Sequence, residues 1–154
     1  MQWKPNVVVA AIIRQNDKYL LVEEHADDGR IVLNQPAGHL EKDESLLDAV
    51  KREVLEETAW HFNPEGLTGV YLRPDPSNGI TYLRFCFYGT VVSHASEREL
   101  DHGIIRALWL DHEQMLAETH RMRSPLVIRC LHDYLSGQSY PLEMLHTILD
   151  TRQP

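Results

Sequence analysis

The chain has 154 residues, 43% of them apolar, which is enough for a sizeable core and reads as a single domain spanning 1–154. Its net charge of −8 leaves no basic footprint for a nucleic-acid polymer, and it repels free nucleotides at long range, so binding one requires local positive charge or a metal ion. The apolar run at 7–13 is too short to cross a bilayer and follows no charged leader with a cleavage site, so neither a membrane span nor a signal peptide is expected. Cys86 and Cys130 lack metal-ligand spacing and read as reduced core thiols of a cytoplasmic protein.

Taken in order, residues 7–13 form a continuous, β-branched apolar run of strand length. Asn16-Asp17 marks a turn, and 18–24 reads as a second strand hairpin-paired with the first. A polar loop at 25–30 leads to a short strand at 31–35, stopped by Pro36. Gly38 permits a sharp turn without a Cβ penalty. A helix then starts at Ser45, an N-cap with Asp48 three residues on, and Leu46, Leu47, Val50 and Val54 form its apolar stripe. Ala49, one turn before Glu53, is expected to leave room above the acids. A strand at 67–73 and a dense turn at 74–79 precede the longest strand, 80–92. Its alternation sets Tyr82, Arg84, Cys86 and Tyr88 against Leu83, Phe85 and Phe87. A loop at 93–103 leads to a last strand at 104–110, and Asp111 caps a short helix at 113–118. Ser124 and Pro125 open a terminal helix ending near Gly137, with Val127, Cys130, Leu131, Tyr134 and Leu135 as its core face. The sequence does not decide the structure of 138–154. Mixed strands with one early and one late main helix give an α/β domain.

The chemistry concentrates at residues 38–60. Residues three and four apart on a helix share a face, so Glu53 stacks on Glu57 with Glu56 beside them. Three carboxylates this close repel one another, and the usual offset is a divalent cation bound through oxygen: Mg²⁺, Mn²⁺ or Ca²⁺. The spacing Gly38, Glu44, Arg52-Glu53-Val54, Glu56-Glu57, Trp60 resembles the Nudix box, Gly-x5-Glu-x7-Arg-Glu-U-x-Glu-Glu-x-Gly-U, with U bulky and apolar. The one departure is Ala59, where the family has a glycine that ends the helix with positive φ.

The resemblance implies a Nudix-like α/β/α sandwich with a mixed sheet and a loop–helix–loop box. It implies Mg²⁺, with Mn²⁺ as a substitute, held by Glu53, Glu56, Glu57 and the Gly38 carbonyl. Arg52 and Glu44 would brace the loop against the helix. The metal would neutralise diphosphate charge and activate water. The general base in this family is either a box glutamate or an acid of a later loop. Here that loop offers Glu97, Glu99 and Asp101, and Asp101 is favoured because it adjoins the strand at 104–110.

Substrate contacts are expected from Arg84, Arg73 and His39, with Tyr71, Tyr82 and Trp3 as candidate stacking surfaces. Arg84, mid-strand among apolar residues, needs a partner: a bidentate phosphate or a structural ion pair. The segments LNQPAGHLE, TYLRF, RSPLV and YPLEML look like the NudJ-type phosphatases of the superfamily. That likeness implies phosphate release from small phosphorylated metabolites: nucleoside tri- and diphosphates, thiamine pyrophosphate and hydroxymethylpyrimidine pyrophosphate. A monomer or weak homodimer is expected. The competing expectations are a pyrophosphohydrolase of nucleotide sugars or dinucleoside polyphosphates, and a non-catalytic nucleotide-binding module, in which loss of a box glutamate would be expected.

Overall fold

The computed structural model describes residues 1–150. The elements run β1 (Asn6–Gln15), β2 (Lys18–His25), β3 (Ile31–Asn34), β4 (Ala37–His39), α1 (Leu46–Thr58), β5 (Trp60–Pro74), β6 (Thr81–His94), β7 (Ile104–Asp111), α2 (His112–Ala117) and α3 (Leu126–Leu135). The strands lie in the order β3-β2-β1-β6-β5, with β4 added on β1 and β7 on β2. The β1–β6 pair is parallel and the remaining pairs are antiparallel, so the sheet is mixed. Among the described residues no helix is long and apolar enough to cross a membrane.

The sandwich follows from the two-residue period of β1. Val9, Ala11 and Ile13 pack with Ala49, Val50 and Val54 of α1. Ala10 and Ile12 face the other way, onto Val127, Cys130 and Leu131 of α3. On β6, Cys86 and Tyr88 join the α3 side while Phe85 and Phe87 join the α1 side, as the alternation requires. Each fully buried Val, Leu, Ile or Phe contributes about 1.5–3 kcal/mol. Both layers thus rest on one sheet, and Cys86 of β6 and Cys130 of α3 lie buried as free thiols in the core between sheet and α3.

Local signals act where the sequence placed them. Asn16 and Asp17 both take positive φ, the requirement of a two-residue hairpin turn, and Gln15 pairs with Lys18 across it. Ser45 Oγ accepts the Asp48 N–H at 3.0 Å to cap α1. Asp111 caps α2 in a full capping box with Gln114.

Four features differ from the sequence reading. β5 begins at Trp60, not 67, because its position at the sheet edge tolerates Pro64 and register shifts at Pro64/Gly66 and Leu67/Gly69. Residues 37–39, read as loop, form the short strand β4. Ala49 is fully buried in the core beneath α1 and opens no space above the acids, and Leu135 is 41% exposed, outside the α3 core face. Beyond α3, Tyr140 exchanges backbone hydrogen bonds with Leu67, and Leu142 and Leu145 pack on the α1-side core. The end of the undecided tail, 151–154, lies outside the described residues.

Candidate active site

The box acids meet the backbone of β4. Glu53 and Glu57, one turn apart on α1, are 9% and 8% exposed. Glu57 Oε1 accepts the Ala37 N–H at 2.8 Å. The Glu53 carboxyl fills the space beside Gly38: a Cβ built there would lie 2.1 Å from Glu53 Cδ. Gly38 is thus required for the close approach of an acid to the strand. β4 is itself fixed by pairing with β1, Val9 opposite Gly38 and Ala10 opposite Ala37.

Arg52 is the hub of the remaining box acids. Its guanidinium donates to Glu44 Oε1 (2.7 Å) and Oε2 (3.1 Å), Glu53 Oε1 (2.7 Å), Glu56 Oε2 (3.2 Å) and the His39 carbonyl (3.0 Å). Glu44 in turn accepts the Glu41 N–H at 2.7 Å. The box loop and helix are therefore held together through one side chain. The Arg52 guanidinium pulls the Glu44 carboxyl below its usual range and is itself held firmly protonated.

The helix end at Ala59 takes φ 61°, ψ 13°, with its N–H on the Leu55 carbonyl. This is the left-handed conformation the family's glycine suits, and alanine there costs about 1–2 kcal/mol.

Burial dominates the electrostatics. It pushes Glu57 up to about 9, helped by the negative charges of Glu24, Glu53 and Asp101 and opposed by the Ala37 N–H. Glu53 is also pushed up by burial, against the pull of Arg52. Glu24, Glu53, Glu56, Glu57 and Asp101 thus share one field. Among the described residues no three His, Cys, Asp or Glu side chains stand at metal-ligand spacing, since Arg52 takes Glu53 and Glu56 and Ala37 takes Glu57. The donor chemistry nevertheless suits a hard divalent cation: the ligating atoms on offer are oxygens, and Glu57 is an acid whose ionised form lacks a counter-charge.

In the 93–103 loop, Glu97, Glu99 and Asp101 are all exposed. Asp101 alone of these is tied to the box helix, its N–H donating to the Glu56 carbonyl at 2.9 Å, and its charge acts on both Glu53 and Glu57. Sequence reading missed Glu24. Its carboxylate accepts from Arg123 (2.8 Å) and from Asn34 Nδ2 (3.5 Å), and its charge reaches Glu57. Counting by twos along β2 from Leu20, which packs on the α1 side, leads to Val22 and Glu24, so alternation held the signal.

Arg84 is 5% exposed on β6 and donates to Gln35 Oε1 at 2.5 Å. The structural alternative for it was an ion pair; the partner found is a neutral amide. Arg73 is half-buried at the end of β5, opposite Tyr82. The His39 side chain is exposed on β4. Tyr71 donates its hydroxyl to Asp133 at 2.8 Å, Tyr82 Oη accepts from Asn78 at 3.0 Å, and Trp3 is exposed near the N-terminus.

A sandwich of this topology, with a glycine–carboxylate contact and an arginine hub in one box, defines a Nudix hydrolase. The NUDIX domain family model matches residues 4–130, and the chain belongs to that family. Nudix hydrolases act on small phosphorylated substrates and use divalent metal ions. Among relatives, the chain is 37% identical over 145 residues to the Phosphatase NudJ of Escherichia coli (strain K12), covering 93% of this chain and 92% of that one. A NUDIX hydrolase structure from Nitrosomonas europaea is 54% identical, with a TM-score of 0.93 over 94% of this chain and 98% of its own. A UDP-X diphosphatase at 21% identity shares the fold, with a TM-score of 0.69 over 89% of this chain and 66% of its own.

Proposed function

We propose that the chain is a Mg²⁺-dependent phosphatase of small metabolites, hydrolysing phosphoanhydride bonds with release of orthophosphate. The substrate class comprises nucleoside tri- and diphosphates, thiamine pyrophosphate and hydroxymethylpyrimidine pyrophosphate. The observation that carries the reading is the complete set of Glu53 against Gly38, Glu57 against Ala37 and Glu56 held by Arg52, in a chain similar over most of its length to Phosphatase NudJ. A module kept for binding alone would be expected to lack one of these acids.

In this reading Glu53, Glu56, Glu57 and the Gly38 carbonyl hold the cation, which supplies charge neutralisation and activation of water. Arg52 is a positioning residue: it fixes Glu53, Glu56 and Glu44 relative to the loop. Asp101 takes the proton from the attacking water, being the loop acid tied to α1 and coupled by charge to Glu53 and Glu57. Arg84 and Arg73 hold the phosphate that stays with the product, and His39 lines the approach. Catalysis of phosphoryl transfer is mostly such positioning and charge stabilisation. The protein works in the cytoplasm as a monomer or weak homodimer, with 1–154 as one unit.

The test is a panel of phosphorylated metabolites incubated with Mg²⁺, reading orthophosphate against pyrophosphate. Orthophosphate from thiamine pyrophosphate or a nucleoside triphosphate is the expected result. No release from any member of the panel refutes the proposal.

A further inference from the structure

Arg84 is a buried cation without a counter-ion. Its Nε has no hydrogen-bond partner, and among the described residues no carboxylate forms an ion pair with it. Arg52, Arg106, Arg121, Arg123 and Arg129 are paired with acids, and their side chains are 21–67% exposed. Burying an uncompensated charge is costly, so its persistence calls for a compensating group from elsewhere.

The residue that fixes this state is Gln35, 2% exposed. Its Nε2 donates to the Val127 carbonyl in the first turn of α3 at 2.8 Å, which leaves Oε1 facing the guanidinium at 2.5 Å. A glutamate has the same shape and would neutralise Arg84, at the loss of the hydrogen bond to the Val127 carbonyl, which a carboxylate cannot donate. The amide accepts one hydrogen bond from the guanidinium and leaves its charge intact.

The location bears on the reaction. Val8 pairs with Arg84 of β6 on one side and His39 of β4 on the other, so Arg84 lies two strands, roughly 10 Å, from the strand that meets the box acids. Gln35 precedes Ala37, the partner of Glu57, by only two residues.

We propose that Gln35 is a positioning residue for substrate selection, holding Arg84 as a cationic seat for a phosphate group of the substrate that is not transferred. This rests on the hydrolase reading above and adds the residue that sets the charge Arg84 presents to the substrate. Substrates with a second phosphate are favoured because only they compensate Arg84.

The test is Gln35→Glu, which supplies an internal counter-ion at nearly constant volume. Its KM for the substrate found in the metabolite panel should rise roughly tenfold or more, with kcat within about threefold of wild type. Calorimetric affinity for inorganic pyrophosphate, measured in chelator so that only the cations bind it, should fall by a similar factor. If the variant is poorly folded, Arg84→Met provides the same pyrophosphate measurement, again with loss expected. KM and pyrophosphate affinity within about twofold of wild type, or a fall in kcat at constant KM, overturns the inference. A wild-type protein that hydrolyses nothing in the panel, yet loses pyrophosphate affinity on Gln35→Glu, refutes the hydrolase reading and keeps the anion seat.

Discussion

Arg52 and Arg84 are two arginines of one domain in opposite circumstances. Arg52, on the α1 side, is shared among Glu44, Glu53 and Glu56 and locks the box loop to its helix. Arg84, on the α3 side of the sheet, is more deeply buried, donates to an amide and lies beside the thiols Cys86 and Cys130, with no carboxylate partner among the described residues. The box has more carboxylate than Arg52 can neutralise, since Glu57 is left with a single backbone N–H. An acid without a counter-charge for its ionised form therefore lies at β4, and a cation without a carboxylate partner lies two strands away. Neither arrangement favours stability. In the proposed reading, a ligand brings a cation to the first and an anion to the second.

Removing the acid at the centre of the surplus has the largest expected effect. Glu57→Gln should keep the fold by circular dichroism and lower turnover at limiting Mg²⁺ by about 10²–10³-fold, the scale of losing one fixed charge-stabilising group. Wild-type turnover would remove Glu57 from the site. The same variant isolates a pH effect. Glu57 is raised from 4.5 to about 9, so its contribution to stability is fully present below about pH 4.5 and is lost as the pH rises through about 9. Glu23 and Glu44, held low by arginines, titrate below this window. In chelator, the melting temperature of wild type should fall relative to Glu57→Gln between pH 5 and pH 9; parallel profiles would contradict the burial of an ionisable acid.

Breaking the paired arginine comes next. Arg52→Ala strands Glu44, Glu53 and Glu56, and should cost about 2–4 kcal/mol by urea denaturation, below the value for a fully buried pair because the side chain is 21% exposed. A loss under about 0.5 kcal/mol would mean that the hub is a surface network of little consequence. Ala59→Gly, at the end of the same helix, has the smallest effect. Relief of about 1–2 kcal/mol from the left-handed backbone is offset by about 0.4–1 of unfolded-chain entropy and about 0.8 for a buried methyl. The expected net lies within about 0.8 kcal/mol of zero. A loss beyond about 1 kcal/mol is the cost of glycine inside a helix and would contradict the φ of 61°.

Local and periodic signals were legible in the sequence. The alternation of β6 placed Cys86 and Phe87 on opposite faces, and residues 38–60 carried the box at fixed spacing. Features that depend on non-local pairing were not legible. β4 is three residues with a central glycine and becomes a strand only because β1 offers an edge. The first half of β5 carries Pro64 and Gly66, which read as loop until the edge position excuses them. Glu24 and Gln35 matter through partners 99 and 49 residues away, Arg123 and Arg84, which no window along the chain connects.

Which phosphorus is attacked separates a phosphatase from a pyrophosphohydrolase. Hydrolysis of a nucleoside triphosphate with Mg²⁺ in oxygen-labelled water, followed by mass spectrometry of both products, reads this in one experiment. Label in orthophosphate, with the nucleoside diphosphate unlabelled, is the predicted result. Pyrophosphate as the main product, with label in it or in the nucleoside monophosphate, would contradict the phosphatase reading.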